Sequence, residues 1–173
     1  MGEIFIMQDI ISVVINRYNV KGQYLDHLAM NELNEYFINA IDRIKISEFI
    51  NAQASKIIKE TSVQLYEEQP ELLRPGGNSY TTRRYSACLR DIEYYLRYSS
   101  YAIIAGHPNI LDERVLDGLK DTYNSLEIPL SPTIRSIELL KEVIEESIST
   151  NNIVLNNNNI LDEPFKYLIK GLI

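Results

Sequence analysis

The chain has 173 residues, about one domain with room for a real core, and 17 Lys plus Arg against 24 Asp plus Glu give it a formal charge of −7. That balance argues against nucleic acid as a partner, and one cysteine excludes an intrachain disulfide or a multi-cysteine metal site. No apolar run approaches the roughly 20 residues of a membrane span, and Glu3 stands where a signal peptide would be basic, so the chain reads as soluble.

Helical periodicity dominates from the start. Apolar residues from Met7 to Ile15 fall on one face with Asp9 in the first turn, and Asn19-Val20-Lys21-Gly22 breaks that helix. Asp26 can cap a second helix carrying Leu28, Leu33, Tyr36 and Phe37. A long amphipathic stretch follows, from Ile41 to Leu65. Pro70 and then Pro75-Gly76-Gly77-Asn78 end regular structure, the glycines allowing a sharp turn. The next helix runs from Tyr80 to Ile104, with Tyr85, Cys88, Leu89, Ile92, Leu96, Ser99 and Ile103 along its inner stripe, and Gly106-His107-Pro108 stops it.

Short helices are expected at 111–118 and 119–125. Pro129 and Pro132 open another at 133–149, with Ile134, Ile137, Leu140, Val143, Ile144 and Ile148 facing in. The Asn-rich run 151–159 reads as a loop, and a last helix covers 161–172. No strand-type alternation of any length, internal repeat or phosphate-binding glycine motif is present. The fold class is all-α in one domain, residues 1–173.

The chemistry concentrates on the helix that carries the cysteine. At about 100° per residue, Asp91 lies roughly 60° around from Cys88 and Arg84 about 40° away on the same side. A lone cysteine on an apolar helix face is more often a small buried hydrophobe, and Asp91 alone reads as a solvated helix acid. Arginines on both flanks, however, are expected to favour the reactive thiolate. Sulfur, acid and guanidinium together suit an elongated ligand held covalently at one end, cationic in its middle and bearing carboxylates. A linear tetrapyrrole has those properties. Arg83, Arg84 and Arg90 are candidates for its two propionates, because a guanidinium matches a carboxylate bidentately. Arg84 has the better direction; Arg83 and Arg90 point some 200–220° from Cys88 and must reach around the helix.

The run Arg74-Pro75-Gly76-Gly77-Asn78-Ser79-Tyr80-Thr81-Thr82-Arg83-Arg84-Tyr85-Ser86-Ala87-Cys88-Leu89-Arg90-Asp91 resembles the bilin-attachment segment of phycobiliproteins, in its beta-type allophycocyanin version. The resemblance continues through Tyr94-Tyr95-Leu96-Arg97-Tyr98, Leu111-Asp112-Glu113-Arg114-Val115-Leu116 and Thr122-Tyr123-Asn124-Ser125-Leu126, with N-terminal echoes at Met7-Gln8-Asp9-Ile10 and Gly22-Gln23-Tyr24-Leu25-Asp26. It therefore begins at Met7, which leaves residues 1–6 as an extension or an upstream start.

The resemblance implies a globin-like body with an N-terminal helical arm, residues 1–20, used for α–β pairing. It implies one phycocyanobilin bound by a thioether to Cys88, with a separate lyase assisting and the chain itself no enzyme. Asp91 becomes the acid under the central pyrroles, and Arg83 and Arg90 gain support as propionate partners. Asn78 becomes N4-methylasparagine beside the pigment, and Tyr123 packs either on the pigment or in the core. Expected partners are an α-type allophycocyanin subunit or the α-like domain of the core–membrane linker, in trimers of αβ pairs with core linker polypeptides. Arg97, Tyr98 and Tyr101 would contribute to that pairing. The expected function is light harvesting in the phycobilisome core, peripheral to the thylakoid membrane on its stromal or cytoplasmic face. Asn/Ile-rich usage points to a red-algal plastid rather than a cyanobacterium.

Departures matter. No second cysteine follows, which is the one-bilin pattern; Asn19 replaces a frequent Asp used in pairing; and Asn156 to Asn159 departs from the usual tail. Gln69-Pro70-Glu71-Leu72-Leu73 looks more like the minor beta-type subunit of the core than the major one. A bilin-free interaction or sensor protein of the same fold is the alternative. His27 and His107 are not at metal-ligand spacing, and neither suits a proximal haem ligand.

Overall fold

The computed structural model describes residues 8–157 and 159–173. Met7 and the extension at residues 1–6 therefore lie outside the described residues. The fold is all-α and globin-like, with no strand among the described residues.

Helix α1 (Ile10–Lys21) starts after Asp9, which acts as its cap rather than a first-turn residue: its Oδ1 accepts the Ser12 N–H at 2.7 Å. The expected break at Asn19 comes later. Asn19, Val20 and Lys21 stay helical because Tyr18 is buried against the next helix and the chain first leaves helical geometry at Gly22. Helix α2 (His27–Ile38) is capped by Asp26, whose Oδ1 accepts the Ala29 N–H at 3.0 Å. Val14, Tyr18 and Ala29, with Ile10 and Leu33 against them, form a small cluster separate from the main core. The N-terminal pair is thus an arm with its own packing. Val14 is enclosed in it, while exposed apolar side chains remain at Ile15 and Val20 on α1 and continue at Leu28, Phe37, Ile38 and Ile41.

Helix α3 (Ala40–Glu68) is the longest, about 43 Å at 1.5 Å per residue. It packs against both α4 (Thr82–Ala105) and α7 (Leu130–Thr150). Between α4 and α7 come a short α5 (Asn109–Leu111), which runs into a π-helical turn at Asp112–Leu116, and α6 (Leu119–Ser125). Helix α8 (Asn159–Leu172) closes the body against α7 and α4. Ile57, Leu65, Ile92, Leu96, Ile103, Ile137, Leu140, Ile144 and Phe165 lie at the centre of the core, each worth about 1.5–3 kcal/mol of burial.

Helix α7 starts three residues before the expected position. Pro132 falls in its first turn, where backbone N–H groups have no intrahelical partner to lose. The end of α4 joins arm to body. Tyr36 Oη donates to the Ile104 carbonyl at 3.1 Å and Arg43 Nη1 to the Ile103 carbonyl at 2.8 Å, occupying carbonyls that the helix leaves free. Gly106 takes φ 66° there, and a Cβ on it would meet the Tyr36 ring at 2.7 Å. The Asn-rich stretch is irregular at 151–157, while Asn159 already belongs to α8, which starts two residues before the expected position; the irregular part is nonetheless anchored. Asp42, 1% exposed, accepts the N–H groups of Asn156 and Asn157 at 2.7 and 3.3 Å.

Candidate functional site

A cleft of about 280 Å³ opens between α4, the turn before it, and the segment joining α6 to α7. Its walls are mostly apolar, with Leu65, Leu72, Ile92, Leu126, Ile128 and Pro129 among them. Arg84, Cys88, Asp91 and Tyr95 enter from α4 at spacings of four, three and four residues, which keeps them on one stripe. Helix α4 begins where it does because Thr81 Oγ1 accepts the Arg84 N–H at 3.3 Å. The preceding turn delivers Asn78 and Ser79 to the cleft mouth. Ser79 N–H bonds the Leu72 carbonyl at 2.9 Å, and a Cβ on Gly77 would collide with the carbonyl oxygens of Glu71 and Leu72. Glycine at 77 is therefore what lets the chain fold back so tightly.

Asp91 is held by both oxygens. Oδ1 accepts Arg90 Nη2 at 2.9 Å and Nε at 3.1 Å, and Oδ2 accepts the Tyr123 hydroxyl at 3.1 Å. Tyr123 in turn lies 2.6 Å from the Tyr95 hydroxyl. Burial keeps both phenols protonated well above the ordinary tyrosine range. Arg90 itself is largely exposed, and its pKa rises chiefly through the Asp91 hydrogen bond.

The only cysteine carries a free thiol, half-buried in the cleft wall. Burial pushes its pKa up, the Asp91 charge adds to that, and the nearby Tyr66 and Ser79 hydroxyls oppose without reversing it. The expectation that flanking arginines favour the thiolate is not met. Arg83, Arg84 and Arg90 are exposed, where water screens their charge, while the sulfur sits against apolar side chains.

Of the residues singled out from sequence, Cys88, Asp91, Arg84, Asn78 and Tyr123 line the cleft together. Arg90 reaches it only through Asp91, and Arg83 is exposed on α4 outside the lining. Arg97 lies over Tyr94 and Tyr98, 4.9 and 5.8 Å from the ring centroids, further along α4. Sequence reasoning missed Tyr95, although its spacing of seven from Cys88 marks the same stripe. It also missed Ser79 and the α7 wall at Thr133 and Ser136. Those last come from long-range packing that no local pattern announces.

The sequence has clear relatives. A family profile described as phycobilisome protein matches residues 13–172. The chain is 63% identical over 166 residues to the allophycocyanin subunit beta-18 of Porphyra purpurea, covering 96% of this chain and 97% of that one. It is 49% identical, over the same shares, to the allophycocyanin subunit beta-18 of Synechocystis sp. and to a phycobiliprotein beta chain of Mastigocladus laminosus.

Proposed function

Because the chain belongs to the phycobilisome protein family, we propose that the α4 cleft is the seat of one phycocyanobilin. As a beta-type allophycocyanin, the chain is a light-harvesting, bilin-bearing subunit of the phycobilisome core, and it assembles there with α subunits. Family members are pigment proteins rather than enzymes. The observation that carries the finer reading is the convergence of a thiol, a carboxylate and a guanidinium from one α4 stripe on an apolar cleft. Bound there, the bilin supplies absorption of visible light.

The residues present fit such a group. Cys88 would hold it by a thioether, and because burial keeps the thiol protonated, attachment at neutral pH calls for an external catalyst such as a lyase. Asp91, set between Arg90 and Tyr123, supplies a fixed negative charge for the pigment's central N–H groups. Arg84, in the cleft lining, would be the first partner for a propionate, and Arg83 and Arg90, exposed on the same helix, would be the candidates for a second. Asn78, half-buried at the mouth, offers an amide whose methylation changes polarity without adding charge. Tyr123 packs on the pigment from α6. The apolar walls exclude water and hold the chromophore against torsions that waste excitation.

In this reading the chain is a single domain whose arm, residues 1–20, pairs with an α-type subunit or the α-like domain of the core–membrane linker. Such pairs would form trimers, with core linker polypeptides, at the thylakoid surface. The higher identity to the Porphyra relative than to the Synechocystis one supports a red-algal plastid as the setting.

Asp91→Asn tests the site. The amide fits but cannot balance a cationic pigment, so the pigment should stay attached while its long-wavelength band weakens, shifts to the blue and bleaches at lower pH. A visible spectrum unchanged from neutral to moderately alkaline pH would overturn the assignment.

A further inference from the structure

Asp91 is gripped differently at its two oxygens. The Arg90 guanidinium holds Oδ1 from the solvent side, an exposed ion pair of the kind that salt and water weaken. Oδ2 is held from inside by Tyr123, which is 6% exposed. A phenol has one proton, and a carboxylate can only accept, so the Tyr123 proton is committed to Asp91. The 2.6 Å contact between Tyr123 and Tyr95 must then be donated by Tyr95, which is 3% exposed and out of reach of bulk water.

The donation order Tyr95 to Tyr123 to Asp91 follows from valence alone. It leaves α4 at Tyr95, crosses to α6 and returns to α4 one turn earlier, at Asp91. Donating in series polarises each hydroxyl and strengthens the next bond. Removing the first donor would leave the Tyr123 oxygen buried without the bond it now accepts.

Given the reading of the cleft as a bilin seat, we infer that Tyr95 is a positioning residue for the Asp91 carboxylate, acting through the Tyr123 hydroxyl. It sets the direction of Oδ2 and the strength of the negative charge offered to the pigment. The charged and titratable groups facing Asp91 are Arg84, Arg90, Cys88 and Tyr95 on α4 and Tyr123 on α6. The turn before α4 adds neutral Asn78 and Ser79, and α7 adds neutral Thr133 and Ser136.

The test is Tyr95→Phe, which deletes one oxygen. In the pigmented complex the pH at which alkali bleaches the visible band should fall by about half a unit, a roughly threefold change in the protonation equilibrium. Covalent pigment measured after denaturation should not change. Tyr123→Phe, which removes the middle of the relay, should give a shift at least as large. When Asp91 is already Asn, Tyr95→Phe should add nothing, whereas a hydroxyl that merely fills space would shift both backgrounds alike. In the unpigmented full chain, Tyr95→Phe should also speed exchange of the Tyr123 hydroxyl proton by NMR. An unchanged bleaching pH, or equal shifts in the two backgrounds, overturns the relay. An Asp91→Asn variant with the parent spectrum would instead overturn the reading of the cleft on which the relay rests.

Discussion

At the scale of single residues, the Cys88 thiol makes the sharpest prediction about pH. Burial raises its pKa, so at neutral pH it holds its proton more firmly than an ordinary cysteine, whose value is about 8.5. The unpigmented chain should therefore react with iodoacetamide more slowly than a small thiol at neutral pH, and its rate should keep rising beyond about pH 9. A rate that levels off below about pH 8 would contradict the burial argument. The position of this thiol was legible in the sequence, since helical spacing alone puts Arg84, Cys88 and Asp91 on one side. Its acidity was not, because the sign depends on whether the flanking arginines or the apolar wall lies nearer the sulfur. Tyr95 was legible by the same spacing, but its significance appears only once Tyr123 arrives from another helix.

Among the elements, boundaries marked by a recognised cap or by Gly were readable, Asp26 before α2 and Gly106 after α4, whereas α4 was expected from Tyr80 and begins only after its Thr81 cap. The extension of α1 to Lys21 and the early start of α7 were not, since both depend on what the neighbouring chain tolerates. The Asn-rich loop shows the same limit. Composition identifies it as irregular, but only the fold shows that a carboxylate from the first turn of α3 holds it. Asp42→Ala would remove the charged acceptor of the Asn156 and Asn157 N–H groups and should cost about 1.5–3 kcal/mol, the range of a hydrogen bond to a charged group. Urea unfolding should show a lower midpoint with an unchanged slope. Asp42 and Leu65, on the cleft wall, stand roughly 35 Å apart along α3, so the visible band should not move. Stability within about 0.5 kcal/mol of the parent would show that the anchor contributes little.

For the whole molecule, the arm and the body are separable in energetic terms. No residue of α1 belongs to the main core cluster among the described residues; α1 packs on α2 instead. Leu28 and Ile38, each 68% exposed on α2, continue an apolar surface that a soluble monomer seldom leaves uncovered. Deleting residues 1–20 should therefore break association with an α-type partner while the bilin band survives. Sedimentation of the truncated chain with that partner should give the two free subunits. A complex of full size would place the interface elsewhere.

The claim on which the rest depends is that this cleft holds its pigment through one sulfur. Cys88→Ser keeps the size and polarity of the side chain but replaces sulfur with a far poorer nucleophile at neutral pH. The decisive measurement is zinc-induced bilin fluorescence on a denaturing gel, comparing parent and Cys88→Ser chains made with the same pigment and lyase. The account predicts a fluorescent parent band and a dark variant band of equal protein content. A Cys88→Ser band that stays fluorescent after denaturation would contradict it.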